Sequence, residues 1–312
     1  MPRTALATNL LSSLGDDVLH CILRLLPEGT EFVVRIVCSR WASLLSPDGT
    51  VSFLSQFATA VPLLQWAKSN GCSWNETAYI AAGKGGSVPV LRWLRVHGPE
   101  GGQTTERRCM IAAAFGGHLD ALQWLISDER RPDLLRVCSW EAAKGGHLHV
   151  LEWLFSTDSC EPDTGTLYCA VKGGNLAVLQ WLHAHGSRMD GHECFYAAKY
   201  GHLDVLKWVH SKGCGLDSQV FTAAAQQGHV EMLEWLHQKQ CPWDERVAAG
   251  AAGEGHLVAL QWLHETGCPW GEETSEAAME KGHLETMAWL SSAGCPIGDL
   301  TMMKWMAECL PY

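Results

Sequence analysis

The sequence lacks an excess of basic residues and lacks an uninterrupted apolar run of membrane-spanning length. Its 23 lysine and arginine residues are outnumbered by 34 aspartate and glutamate residues, so the formal net charge is -11. A nucleic-acid partner is therefore disfavoured, because phosphate binding needs concentrated positive charge. The longest uncharged run, residues 49–67, contains Pro62 and several polar residues, which makes it a poor membrane span.

The motifs of the common enzyme classes are also missing. The chain contains no Gly-x-Ser-x-Gly, no His-Glu-x-x-His, no phosphate-binding loop and no dinucleotide-binding fingerprint. It has no secretory signal sequence either, so its 13 cysteines do not indicate a disulfide framework. We therefore predict a protein that is not an enzyme, needs no cofactor or metal, and works in the reducing cytoplasm or nucleus.

One stretch of sequence is present in eight copies. In the most regular copy, Gly255 follows Ala251 by four residues and precedes Trp262 by seven. From Trp181 to Trp289 the tryptophans are spaced 27 residues apart, a period that is typical of a solenoid of stacked repeats. The repeat glycines are Gly86, Gly117, Gly146, Gly174, Gly201, Gly228, Gly255 and Gly282, and the repeat tryptophans are Trp93, Trp124, Trp153, Trp181, Trp208, Trp235, Trp262 and Trp289.

Each repeat has the pattern of two helices. In the copy from 244 to 270, the first helix is predicted over 246–253 and the second from His256 onward. Gly255 is expected to end the first helix at positive φ, and Pro269 follows the second helix because proline cannot continue it. The repeat alanines allow the helices to approach closely. The tryptophans supply bulk, and we expect them in the core and not in an exposed stripe.

This unit resembles the ankyrin repeat, because Ala251-Ala252-x-x-Gly255-His256-Leu257 matches the family's Ala-Ala-x-x-Gly-His-Leu. The family's Thr-Pro-Leu-His is absent, and the period of 27 is shorter than the family's usual ~33 residues. The resemblance implies an all-α, ankyrin-like solenoid of helix-turn-helix repeats over residues 49–312, with the family's β-hairpin finger trimmed to a turn. Residues 300–306 should form one further helix at the end of the array.

The segment before the repeats is a separate module. After a tail over 1–10, residues 11–48 resemble an F-box, which begins with Leu-Pro-x-(Asp/Glu)-(Val/Leu)-Leu. The matching residues are Leu14-Gly15-Asp16-Asp17-Val18-Leu19, an Ile22-Leu23-x-x-Leu26 run and a final Val37-Cys38-x-x-Trp41. Gly15 stands where the family has proline. The alternative is an ordinary helical cap of the solenoid. The resemblance implies that the following residues contact a Skp-type adaptor: Leu14, Val18, Leu19, Ile22 and Trp41.

Histidine and cysteine recur in register with the repeats. Histidine follows six of the repeat glycines, a second histidine series follows the tryptophans, and Cys214, Cys241, Cys268 and Cys295 are spaced by one repeat. Neighbouring repeats stack ~8–10 Å apart, whereas zinc ligands lie ~2.0–2.3 Å from the ion and disulfides need Cα atoms within ~7 Å. We therefore predict structural histidines that bond to backbone groups at the helix start. A metal-binding or redox protein is a weaker alternative that rests on these counts alone.

Positions that vary between repeats are the candidates for recognition, because fixed positions build the core. In the middle repeats, aromatic residues stand six residues before the glycine and lysines stand two residues before it. Such a surface suits an acidic or phosphorylated peptide, although the helix dipole alone also favours lysine near a helix C-terminus. The candidate target-binding residues are Trp140, Lys144, Tyr168, Lys172, Phe195, Tyr196 and Lys199.

The two resemblances together imply a substrate-receptor subunit of an SCF-type cullin–RING ubiquitin ligase. The N-terminal module would bind the adaptor, and the repeats would bind an unidentified target protein, with one copy of the chain in the hetero-complex. The alternative is an ankyrin-repeat scaffold without a ligase role, in which the first helices only cap the solenoid.

Overall fold

The computed structural model describes residues 61, 65, 76–98, 103–126, 132–156 and 161–309. These residues form helices joined by turns, with no strand among them, as the all-α prediction required. The chain divides into two compact units, an N-terminal half (Met1–Glu161) and a C-terminal half (Pro162–Tyr312). The F-box-like segment, with Leu14, Val18, Leu19, Ile22 and Trp41, lies outside the described residues.

In the N-terminal half, helices come in consecutive pairs, each with a first and a second helix. The described pairs are α1 (Glu76–Lys84) with α2 (Val88–His97), α3 (Gln103–Phe115) with α4 (Leu119–Ile126), and α5 (Pro132–Gly145) with α6 (Leu148–Ser156).

The C-terminal half continues the same alternation. Its pairs are α7 (Thr164–Lys172) with α8 (Leu176–Ala184), α9 (Glu193–Tyr200) with α10 (Leu203–Ser211), α11 (Ser218–Gln226) with α12 (Val230–Gln238), α13 (Glu245–Gly253) with α14 (Leu257–Glu265), and α15 (Glu272–Glu280) with α16 (Leu284–Ser292). A final helix, α17 (Asp299–Cys309), follows them.

The helix boundaries follow from local chemistry. Asp163, Asp217 and Asp244 cap first helices, each accepting a hydrogen bond from a backbone N–H of the first turn at 2.7–3.0 Å. All eight repeat glycines end a first helix at positive φ, between 69° and 83°. The prediction for the repeat around Gly255 is confirmed, with α13 beginning one residue earlier than expected.

The core of each half is built from alanine on the first helices and leucine on the second helices. In the C-terminal half, Ala197, Ala224 and Ala251 are fully buried, and first helices of successive repeats pack against one another. Leu206, Leu233 and Leu260 are likewise inaccessible to solvent. The expectation of a tryptophan core needs correction, because Trp93 is the only buried residue among the eight repeat tryptophans, all of which the structure describes. The other seven are half-buried.

The final helix forms where the sequence predicted it, and it packs against α15. Leu300, Met303 and Met306 on this helix are exposed, at 67%, 67% and 54%. Over the whole described part of the chain, no helix is both long and apolar enough to cross a membrane.

Candidate functional site

In the C-terminal half, α7 and α9 bring together six side chains that we call the aromatic–lysine cluster. The hydroxyl groups of Tyr168 and Tyr200 are hydrogen-bonded at 2.8 Å, and the ring of Tyr196 meets that of Tyr168 edge-on at 4.6 Å between centroids. The cluster therefore joins neighbouring repeats through their first helices. Its members are Tyr168, Lys172, Phe195, Tyr196, Lys199 and Tyr200.

Both lysines of the cluster lie over aromatic rings. The Nζ atom of Lys172 is 5.4 Å from the centre of the Tyr200 ring, and that of Lys199 is 5.9 Å from the centre of the Phe195 ring. Each distance is within the range of a cation–π contact, which holds the ammonium group without neutralising it. The hydrogen bond to Tyr200, together with burial, raises the pKa of Tyr168 to about 12. The cluster therefore presents positive charge on an uncharged aromatic base.

A shallow cavity of 180 Å³ lies next to the cluster along the first helices α9, α11 and α13. Apart from Arg246, which is paired with Asp244 at 2.6 Å, the lining carries no charged residue. The same contact lowers the pKa of Asp244, chiefly through the hydrogen bond from Arg246. The lining residues are Phe195, Ser218, Gln219, Thr222, Ala223, Gln226 and Arg246.

The character of the first-helix surface changes along the C-terminal half. The lysines of α7 and α9 give way to Gln226 on α11 and to glutamates on α15. Glu273, Glu276 and Glu280 are all exposed there. Positions that are equivalent in the repeat thus carry positive charge in one region and negative charge in another.

The N-terminal half holds the remaining two predicted site residues. The guanidinium group of Arg136 lies 5.5 Å from the centre of the Trp140 ring. Lys144 lies 5.5 Å from the ring centre of Phe115 and forms an ion pair with Glu141 at 3.8 Å. Lysine on an aromatic ring is therefore a feature of this half as well.

Two ring residues were missed as site candidates from the sequence. Phe115 stands where the neighbouring repeats have lysine, and the Nζ atoms of Lys84 and Lys144 both lie within 6 Å of its ring, at 5.9 and 5.5 Å. Tyr200 occupies a position that is glycine in the four preceding repeats, and this change was the available signal.

The recurrent histidines have the structural role that was predicted. The Nε2 atoms of His118, His147 and His202 are 2.9–3.0 Å from backbone carbonyl oxygens of the preceding repeat. Each histidine is at the start of a second helix, but its ring reaches across to the neighbouring repeat and does not cap its own helix. Because the carbonyl accepts, Nε2 carries the proton. Burial lowers the pKa of His118 and His147, which favours this neutral form.

The second histidine series pairs with the tryptophans. In the C-terminal half, the imidazoles meet the indole of the next repeat edge-on, at 5.5–6.0 Å between centroids. The pairs are His183 with Trp208, His210 with Trp235, His237 with Trp262, and His264 with Trp289. Within the described ranges, no group of three or more histidine, cysteine, aspartate or glutamate residues is placed so that it could hold a metal ion.

Comparison with known proteins finds that part of the chain is similar to a repeat family. Residues 194–240, which include α10, α11 and α12, match the family model described as ankyrin repeats (many copies). No curated protein matches the chain. Among solved structures, the chain is similar to the human ASB11 ankyrin repeat domain, at 19% sequence identity and a TM-score of 0.42, over 51% of this chain and 84% of that one.

Proposed function

We propose that this protein is a protein-interaction protein whose repeats bind a target protein. The observation that carries the proposal is the aromatic–lysine cluster, which combines ring surface with held positive charge on variable positions of the repeat. The match of residues 194–240 to ankyrin repeats supports it, since those residues contribute Phe195, Tyr196 and Lys199 to the cluster.

The target segment that fits the cluster is an acidic one. Aromatic anchors that are surrounded by complementary charge are typical of binding hot spots. A carboxylate or phosphate group of the target would meet Lys172 and Lys199, and apolar side chains would contact the ring of Phe195 beside the cavity. The glutamates of α15 would repel the same segment, so we expect it to bind at α7 and α9 and not at α15.

An array of short acidic peptides tests this part of the proposal. Each peptide is synthesised with serine, aspartate or phosphoserine at one central position, and the purified full chain is applied at low and at high salt. We expect binding to acidic peptides that weakens as salt rises, because exposed charge pairs are screened. The phosphorylated copies show which anion is preferred. Equal binding to neutral and basic peptides would contradict the proposal.

For the N-terminal module we propose the role of an F-box, which makes the protein a substrate receptor of an SCF-type cullin–RING ubiquitin ligase in the cytoplasm or nucleus. The support is the sequence resemblance alone, with Leu14, Val18, Leu19, Ile22 and Trp41 as the adaptor contacts. The repeats would hold the target while other subunits perform the ubiquitin chemistry.

A pull-down with a purified Skp-type adaptor tests this role. We expect the wild-type chain to retain the adaptor and a chain with Leu14→Asp and Ile22→Asp to lose it, while both give the same circular dichroism spectrum. If the wild-type chain retains no adaptor, the scaffold without a ligase role becomes the better description.

A further inference from the structure

The thiols of Cys194 and Cys214 differ from the other cysteines of the C-terminal half because they lie side by side. The Sγ atom of Cys214 accepts a hydrogen bond from the backbone N–H of Cys194 at 3.2 Å, and each thiol shifts the pKa of the other. The Cα atom of Cys194 therefore lies within about 5 Å of that sulfur, since N–Cα bonds are ~1.5 Å long. The two cysteines are therefore close neighbours, and a disulfide between them requires Cα atoms within ~7 Å of each other.

The equivalent position in the later repeats shows that this pairing is not part of the repeat architecture. Cys214 recurs as Cys241, Cys268 and Cys295. Each of these three thiols contacts the backbone carbonyl oxygen of the residue just before a first helix, 24 residues earlier in the chain, at 3.2–3.9 Å. Cys194, which stands 20 residues before Cys214, does not recur. Its counterparts are Phe221, Ala248 and Ser275.

Exposure does not separate the four recurrent thiols, but their electrostatic surroundings do. Cys214, Cys241, Cys268 and Cys295 are exposed to 7%, 7%, 5% and 6%. The pKa of Cys214 is lowered, chiefly by the Cys194 thiol and also by the Cys194 N–H in the first turn of α9. Burial and the nearby carboxylates of Glu193 and Asp217 act in the opposite direction and raise this pKa. Burial raises the pKa of Cys241 and Cys268 to about 12 and that of Cys295 to about 11.

The turn that precedes α9 keeps the two thiols in place. The carboxylate of Glu193, which is only 3% exposed, accepts hydrogen bonds from the backbone N–H groups of Asp190 and Gly191 at 2.8 and 3.0 Å. The carbonyl oxygen of Gly191 in turn lies 3.5 Å from the Cys214 sulfur. The dithiol is therefore held by an ordered network and not by chance proximity.

We propose that Cys194 and Cys214 form a dithiol site that is oxidised to a disulfide by hydroperoxides such as hydrogen peroxide. With hydrogen peroxide, the Cys214 thiolate attacks one peroxide oxygen, so that an S–O bond forms and the O–O bond breaks. The leaving hydroxide takes up from solvent the proton that the thiol had released, which gives water. The Cys194 sulfur then attacks the Cys214 sulfur, the S–S bond forms, and the S–O bond breaks. The released hydroxide takes the Cys194 proton, and the two electrons lost by the sulfurs have reduced the peroxide to two waters.

The reduced full-length chain treated with hydrogen peroxide tests this site. After alkylation and digestion without reductant, mass spectrometry should find a peptide pair linked through Cys194 and Cys214. In the same sample, Cys214 should lose its free thiol about tenfold or more faster than Cys241, Cys268 and Cys295, because the thiolate is the reactive form. Equal rates for the four thiols, or oxidation without a linked pair, would overturn the proposal.

Three variants separate the steps. Cys194→Ser should leave Cys214 oxidised but unlinked, so that a 1,3-dione reagent traps its sulfenic acid. Cys214→Ser should abolish the link and leave Cys194 reduced, whereas Cys241→Ser, the matched control one repeat later, should leave the link unchanged. The comparison of the four thiols in the wild-type chain decides the matter even if a variant fails to fold. None of these measurements depends on the proposed target binding, so either proposal can fail alone.

Discussion

The second helices of the C-terminal half repeat one contact, whereas the first helices change theirs. On the second helices, the histidine two residues after each tryptophan meets the next tryptophan at nearly the same distance four times, 5.5–6.0 Å. On the first helices, equivalent positions carry Lys199, Gln226 and Glu280 in three repeats. Both sets consist of α-helices. The histidine–tryptophan contact of the second helices is constant, whereas the residue type on the first-helix surface varies.

This difference indicates which helices maintain the fold and which ones we propose to bind the target. A contact that is identical in every repeat cannot distinguish one partner from another, but it fixes how neighbouring repeats stack. The variable first helices rest on buried alanines such as Ala197 and Ala224, which leave their outer positions free to change. Substitutions on the second helices should therefore change stability, and substitutions on the first-helix surface should change binding.

The largest effect on stability is expected for a fully buried leucine of a second helix. Leu206→Ala removes a side chain with 0% exposure and should lower the free energy of unfolding by about 2–5 kcal/mol. Gln226→Ala, at an exposed position of a first helix, should change it by less than about 0.5 kcal/mol. Urea unfolding followed by circular dichroism measures both. Similar losses for the two variants would remove the distinction between the helix sets.

The next effect concerns the repeat glycines and has a matched control inside the chain. Gly255 and Gly282 have the same φ of 73°, but a Cβ on Gly255 would collide with the His283 ring, whereas one on Gly282 would meet nothing within 4 Å. Gly255→Ala should lower the unfolding free energy by about 2–4 kcal/mol, and Gly282→Ala by about 1–2 kcal/mol from backbone strain alone. Thermal or urea unfolding measures both losses of unfolding free energy. Equal losses in the two variants would show that the collision with the His283 ring has no effect on stability.

A smaller effect should appear as pH falls. Burial lowers the pKa of His118, His147 and His229 below the ordinary value of 6.5. The unfolded chain therefore binds protons first, so stability is complete above about pH 6.5 and declines below it. Urea unfolding at about pH 7.5 and about pH 5.5 measures this decline, above the range in which carboxylates titrate.

The variant His147→Gln sharpens the pH experiment. Glutamine can still donate an N–H to the Phe115 carbonyl oxygen, which His147 contacts at 2.9 Å, but it cannot titrate. The loss of stability between the two pH values should be smaller in this variant than in the wild type. An unchanged or larger loss would show that the histidines between repeats do not cause the pH dependence.

The sequence predicted the periodic features and missed those that arise between repeats. The helix pairs around Gly255, its positive φ and the structural histidines followed from residue types at fixed spacing, because local backbone preferences determine them. The partial exposure of Trp262 did not follow, since burial depends on how the neighbouring repeats pack and not on the type of residue at one position. The pairing of Lys172 with Tyr200 was missed for the same reason, as a contact between helices has no signature in one helix.

We propose that the variable first-helix surface binds the target while the second helices maintain the fold. The direct measurement compares Lys172→Gln/Lys199→Gln with Lys212→Gln/Lys239→Gln, in which the control lysines lie 5.7 and 5.9 Å from the repeat tryptophans Trp208 and Trp235. Both double variants remove the same charge and the same kind of cation–π contact.

Affinity for the best acidic peptide of the array is measured by fluorescence anisotropy, with urea unfolding as the check on folding. We predict that the first double variant weakens binding about tenfold or more, and that the control weakens it less than about twofold, with similar stability for both. Equal weakening by the two variants would mean that net charge alone attracts the peptide. That result would contradict the assignment of recognition to the first helices.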